Sequence, residues 1–386
     1  MTNNNQQLLS GATENSIKLG IASTPSEKRE IYHFRYQIYV EEMSKHIEKV
    51  DFANKLLYDE LDEWGILLYA RIGSELIATA RINIGTLDKF PLEEVEFLSL
   101  DTFQDCYTES GDHQFAFITK VMVTPTQRSS QAFYLLIAKC YELCCRHEVQ
   151  FMFGICNSHL IRLYEKMGTQ RYSKNFVLPG YGLQSPLVLL INDIQHLRKV
   201  GSPLFRIARK REAVTTQAVE WFHAKFKHSP IINSQIVTEE ELWDVLCEHL
   251  NCPPTEAISI LSELSVTEAK RFLHCCGSYV QCDPGNLITA QGDVSYSYNI
   301  LVSGRLKSLT FLRPIKEYTS PGQHFGANGL TESAKHTEDI AAISFADILV
   351  LSGMAFQKFY HSHPDTAHKI VRSIVNLTKK KSFSIN

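Results

Sequence analysis

The 386-residue sequence has no run of 18 or more apolar residues, no C-x-x-C pair and no marked excess of charge of either sign. The first absence argues against a membrane-spanning helix. The second removes the commonest zinc spacing, although ten cysteines are present. Cys140 shares a helical stripe with Leu136 and Leu143, where a thiol serves as a small hydrophobe. The expectation is therefore buried free thiols, no metal and a reducing compartment. A formal charge of −3 gives no reason to expect nucleic acid or an anionic membrane as partner. The opening residues, MTNNNQQLLSGATENS, lack a basic-then-apolar leader, so the expected location is the cytoplasm and residues 1–15 are expected to be disordered.

What is present suggests two or three domains. Helical and strand patterns alternate over residues 16–192, as in a mixed α/β domain. IYHFRYQIYVEEM has helical spacing, GILLYARIGSELIATARINIG reads as two strands joined at Gly73-Ser74, and FAFITKVMV and QFMFGIC read as strands on either side of a helix, QAFYLLIAKCYELCCRHE. HLIRLYEKMG reads as a short helix ended by Gly168, and SPLVLLI as a further strand. Residues 193–255 are helical and basic. Residues 256–386 are expected to form a jelly roll, with glycine-punctuated strands from about residue 263 and a closing helix.

The stretch FITKVMVTPTQRSSQA is a strand, a polar loop and a helix start, which together resemble an anion cradle. Its glycine is missing, because Ser130 stands at that position with a β-carbon. With LYEKMG at 163–168, the domain resembles the GNAT acyltransferases. FRYQIYVEEM followed by YDELDEWGILLYARIGSELIATARI is similar to the acyl-homoserine lactone synthases and the long-chain N-acyl amino acid synthases. That resemblance implies an acceptor pocket of Arg35, Tyr39, Asp59, Asp62 and Arg81, with carboxylates for an ammonium and arginine for a carboxylate. It implies Tyr164 as the acid for the departing thiolate, and acyl-donor contacts from Val121, Val123, Gln127, Arg128, Ser129, Ser130, Ala132 and Asn157. The fourth strand carries no carboxylate at 117–121, so either a water bridged to Asp59, Asp62 or Glu60 takes the proton, with Glu60 the catalytic candidate there, or the amine arrives already deprotonated. Read without the resemblance, the two acids and two arginines are an ion-pair network.

Residues from 256 onward resemble the cyclic nucleotide-binding domain through PGNLITAQGD, YNILVSGRLKSL and PGQHFGANGL. The nucleotide cassette is degenerate. After Gly326 the glutamate position is Ala327, and the arginine position falls on Thr337 with Glu338 beside it, while Lys335 and His336 offer charge nearby. The resemblances together imply an N-acyltransferase moving a fatty acyl group from acyl carrier protein, or acyl-CoA, to the amine of an amino acid or related small amine. No tightly bound cofactor is expected. The basic residues Arg198, Lys199, Arg206, Arg209, Lys210 and Arg211 are candidates for docking an acidic carrier protein, and the C-terminal domain for homodimer formation. A lysine acetyltransferase under cyclic-nucleotide control and an inactive scaffold are the alternatives.

Overall fold

The computed structural model describes residues 16–107, 113–212, 214–227, 229–309 and 315–383, without side chains for 380–383. The expectation of disorder for residues 1–15 lies outside them. The chain forms two compact units, one of residues 1–155 and 186–227, the other of 156–185 and 228–386. Among the described residues no helix is long and apolar enough to cross a membrane.

The first unit is built on a twisted sheet with β1 (Ile17–Ile21), β2 (Ile66–Ile72), β3 (Glu75–Gly85), β4 (Phe115–Val123) and β5 (Phe151–Asn157) side by side, then the second half of β8 (Gly182–Leu190). β1 to β4 pair antiparallel, and β4 pairs with β5 in parallel. Gly73, at φ +58°, makes the turn between β2 and β3 that its sequence anticipates. β3 lies between β2 and β4 and is buried along nearly its whole length. That burial takes in Thr79, Arg81 and Asn83 as well as the aliphatic residues.

Helix α1 (Pro25–Tyr36) starts at a reciprocal capping box between Thr24 and Glu27 and buries Ile31, Phe34, Arg35 and Tyr36. The chain then widens into one π-helical turn, Gln37–Glu42, instead of continuing the α-helix. Helix α2 (Ala132–Arg146) covers the sheet through Leu136, Cys140 and Leu143, the stripe read from the sequence. All ten cysteines are free. Phe103 anchors the rest of this core, 5.0 Å from Phe151, 4.7 Å from Phe153 and 5.4 Å from Trp221, centroid to centroid.

The second unit holds helix α3 (Ile161–Met167), the short strands β6 (Gln170–Arg171) and β7 (Phe176–Leu178) flanking the first half of β8, and everything from residue 229. Residues 156–185, which the sequence reading groups with the first domain, thus pack with the later part of the chain. Strands β9 (Gly277–Cys282), β10 (Leu287–Thr289), β11 (Ser297–Ser303), β12 (Leu306–Ser308), β13 (Glu317–Tyr318), β14 (His324–Phe325), β15 (Ile340–Ala342) and β16 (Ala346–Ser352) form two antiparallel sheets, ordered β10-β15-β12-β13 and β14-β11-β16-β9. This is the expected jelly roll. Its first strand begins later than the pattern near residue 263 suggests. A capping box between Ser265 and Glu268 starts a helix, Val266–Cys276, and β9 follows directly.

Candidate functional site

The D-x-x-D spacing has a local structural cause. Asp59 and Asp62 form a capping box around the 3-10 turn Glu60–Asp62: Leu61 N–H donates to Asp59 Oδ1 at 3.1 Å, and Asp59 N–H donates to Asp62 Oδ2 at 2.9 Å. The turn presents both carboxylates to α1 and β3. Arg35 Nη1 donates to Asp62 Oδ1 at 2.9 Å and Oδ2 at 2.8 Å. Arg81 Nη1 pairs with Asp59 Oδ1 and lies 3.0 Å from Asp62 Oδ2, while its Nε donates to Thr119 Oγ1 at 3.0 Å. Gly65 makes room for this arrangement, since a β-carbon there would stand 2.7 Å from the Leu61 carbonyl oxygen and 2.9 Å from the Arg81 stem.

The four residues read from the sequence therefore come together, with Arg35 and Arg81 fully enclosed. Arg35 Nε and Nη2 have no hydrogen-bond partner among the described residues. Asp59 is the open edge, with its side chain 29% exposed. Burial disfavours its charge, yet Arg81, Lys120 and Arg35 outweigh that and hold the carboxyl at about 2. Tyr39, half-buried in the π-turn, has its ring centroid 5.7 Å from Lys120 Nζ. Glu60 is exposed.

Two residues of this neighbourhood were not singled out from the sequence. Lys120 Nζ lies 3.4 Å from Asp59 Oδ2. Glu94, on the short helix Leu92–Leu98, is half-buried; burial pushes its carboxyl up, and the charges of Glu60 and Asp59 add to the shift. Neither was legible from spacing, because each joins the turn at 59–62 across a long stretch of chain.

The loop after β4 is occupied by its own contacts. Arg128 Nη2 grips the Glu42 carboxylate at 2.5 and 2.7 Å, and its Nε donates to the Val123 carbonyl at 3.3 Å. Ser130 Oγ accepts from Ala132 N–H at 3.2 Å, so the hydroxyl of the serine in the glycine position is engaged by the first amide of α2. Gln127 is partly exposed, Ser129 is exposed, and Val121 and Val123 lie half-buried at the end of β4. Of the basic residues, Arg198, Lys199, Arg206, Arg209 and Lys210 are exposed. Arg211 is instead drawn to the Ile191 carbonyl at 3.0 Å and the Tyr141 hydroxyl at 3.4 Å.

Within the second unit, Asn157 Nδ2 donates to the carbonyls of Tyr181 and Leu183 at 2.9 and 3.3 Å. Tyr164 is buried on α3, which ends at Gly168 in the left-handed conformation. Its neighbour Glu165 accepts from Arg171 Nε at 2.9 Å, Ser234 N–H at 2.7 Å and Ser234 Oγ at 2.5 Å. Arg171 also donates from Nη1 to the Tyr279 carbonyl at 2.9 Å, and Arg162 Nη1 donates to the Gly277 carbonyl at 3.1 Å. The helix that carries Tyr164 is thereby tied to β9 of the jelly roll.

In the roll, Gly326 has φ +75° and a β-carbon there would meet the His336 ring at 3.1 Å. Ala327 N–H donates to His336 Nδ1 at 3.0 Å. Thr337 is exposed, and Glu338 Oε1 accepts from the Tyr318 hydroxyl at 2.6 Å. The residue that closes over the cassette turn is therefore His336, one position before the threonine singled out from the sequence. With threonine in place of an arginine fork at position 337 and the Ala327 amide already bonded, titration of the protein with micromolar cyclic AMP in a calorimeter is expected to give no binding heat. A sub-micromolar dissociation constant would contradict this view of the cassette.

Residues 30–193 match the family model described as N-acyl amino acid synthase FeeM. A search of curated proteins finds no match. Among solved structures, FeeM, an N-acyl amino acid synthase from uncultured soil microbes, is 12% identical at a TM-score of 0.40, over 50% of this chain and 98% of that one. TofI in a ternary complex with an inhibitor and MTA is 13% identical at 0.35, over 47% and 96%. A cyclic nucleotide-binding domain from Methylobacillus flagellatus is 15% identical at 0.31, over 36% and 80%. These scores are too low to argue from, so the assignment rests on the family match. That match covers residues 30–193, less than half of the chain, and it supports N-acyltransferase activity.

Proposed function

We propose that the protein moves a fatty acyl group from a carrier-bound thioester to the amine of an amino acid or a similar small amine that also carries a carboxylate. The observation that carries this reading is the network around Asp59 and Asp62. It has at its open edge a carboxylate that neighbouring cations hold well below the usual range, suited to an ammonium, and two buried Arg35 nitrogens, Nε and Nη2, without a partner among the described residues. An unpaired buried donor costs about 1–3 kcal/mol, and an acceptor carboxylate satisfies such donors.

Acyl carrier protein is favoured over coenzyme A as donor. Carrier-bound pantetheine brings a single phosphate, and the loop at 125–132 spends Arg128 on Glu42 and the Ser130 hydroxyl on the Ala132 amide. Five exposed cations between Arg198 and Lys210 suit an acidic carrier by charge complementarity. Tyr164 keeps the role of protonating the thiolate, and Asn157 and Gln127 that of contacting the donor, on the resemblance alone. The cassette closed by His336 does not favour lysine acetylation under cyclic-nucleotide control.

Lipid extracts from bacteria expressing the protein are expected to contain a species whose mass equals a fatty acid plus an amine, less water. Asp59→Asn, which keeps the shape of the side chain and removes its charge, should lower that product at least about 100-fold, the loss of roughly one strong charge-assisted contact. Mass spectrometry in which wild type and the variant give equal product would remove Asp59 from the acceptor site.

A further inference from the structure

In the network, three cations, Arg35, Arg81 and Lys120, face two carboxylates, Asp59 and Asp62. An acceptor docking with its ammonium at Asp59 and its carboxylate at Arg35 would set four cations against three anions in a largely enclosed space. The ammonium must give up a proton before its nitrogen can attack, and a base among these cations must be able to stand uncharged, which an arginine is not. Lys120 is the cation that can. Its side chain is 10% exposed, whereas the arginines are at 0% and 1%, so it also stands where a ligand on Asp59 is within reach.

The backbone has an unusual conformation at this residue. The ladder between β3 and β4 slips a register between Thr79 and Arg81, and Lys120 lies in that bulge at φ +52°. A residue with a β-carbon held in the left-handed region costs on the order of 1–2 kcal/mol, and such outliers gather at functional sites. The bulge also separates Thr119, which binds Arg81, from Lys120, which turns to Asp59.

We propose that Lys120 is the base that takes the proton from the acceptor's ammonium. The assignment rests on the N-acylation proposed above and supplies the group that the fourth strand lacks as a carboxylate. Burial disfavours the charged amine of Lys120, Asp59 and Tyr39 oppose that, and Arg81 and Arg35 reinforce it; the net direction is down. Asp62 faces both arginines, and the charges of Glu60 and Asp59 act on Glu94.

The step is balanced as follows. The Lys120 Nζ lone pair accepts one proton from the ammonium, and the freed amine attacks the thioester carbonyl carbon. A C–N bond forms, the C–S bond breaks, the second amine proton goes to the thiolate, and Lys120 returns its proton to solvent. The sum is R–CO–S–R′ + R″–NH3+ → R–CO–NH–R″ + R′–SH + H+.

The test compares full-length wild type, Lys120→Arg and Lys120→Met, using a fatty acyl thioester of acyl carrier protein as donor. The acceptors are the amine recovered in the wild-type product and hydroxylamine, whose nitrogen is unprotonated at pH 7. With the ammonium acceptor, both variants are expected to lose about 10²–10⁴-fold in kcat. Their residual rate should rise tenfold per pH unit, following the free amine. Hydroxylamine transfer, counted as the rate above the spontaneous enzyme-free cleavage of the thioester by hydroxylamine, should fall far less than the ammonium reaction in at least Lys120→Arg, which preserves charge and bulk. Wild-type kcat and pH profile in Lys120→Arg would overturn the proposal and leave N-acylation standing, and so would an equal loss with both acceptors. A wild type that forms no N-acyl product would remove the N-acylation reading, and the proposal with it.

Discussion

Asp62→Ala is expected to destabilise the first unit by about 3–5 kcal/mol, the cost of leaving a buried charge without its partner. The carboxylate accepts from Arg35 at 2.8 and 2.9 Å, lies 3.0 Å from Arg81 Nη1 and takes the Asp59 N–H, so one substitution strips three donors. Among the described residues, Arg35 would keep the Tyr32 ring, 5.4 Å from its guanidinium carbon, and the more distant charge of Asp59. A drop in melting temperature on the order of 10 °C is expected for a unit of this size. Asp59→Asn, at the exposed edge, should move the melting point much less. A melting point for Asp62→Ala within a degree of wild type would show that the network does not hold the fold. The same argument changes the meaning of an Arg35 variant: because Arg35 is fully buried and bonded to Asp62, an inactive Arg35→Ala would report lost folding as readily as lost acceptor binding.

The second large effect is expected at Glu165. It is fully buried and accepts three hydrogen bonds, from Arg171 and twice from Ser234. Glu165→Ala would leave Arg171, itself 5% exposed, without a counter-charge, again at a cost of about 3–5 kcal/mol. Glu165→Gln, which can still accept, should cost less. Because Arg171 and Arg162 also bind carbonyls of β9, a chain ending at residue 227 would remove those partners as well. It is expected to be recovered in the insoluble fraction, whereas an acyltransferase domain independent of the jelly roll would be soluble. Urea unfolding of Glu165→Ala with an unchanged midpoint would contradict the role given to this tie.

Much of the fold is visible in the chain because its signals are local. FAFITKVMV is β4 residue for residue, Gly73 and Gly168 take the positive φ that their turns need, and the Cys140 stripe faces the core. The D-x-x-D spacing was legible as chemistry, and its geometry proves to be a capping box that holds the acids where the arginines meet them. What was not legible depends on distant partners. Glu165 meets Ser234 across 69 residues, and Arg171 meets Tyr279 across 108, so no pattern in LYEKMG announces that this segment packs with the roll. Lys120 looked like one more residue of a strand, because a register slip is a property of two strands together. His336, counted as a source of charge, proves to accept the Ala327 amide.

The most direct test of the central claim is release of free thiol from a purified fatty acyl carrier protein thioester on adding the full-length protein and a mixture of amino acids, with the products read by mass spectrometry. Thiol release matched one for one by an N-acyl amine, at least about 100-fold slower in Asp59→Asn, is the result predicted here. Thiol release without any N-acyl product, or N-acyl product formed equally well by the variant, would contradict the account.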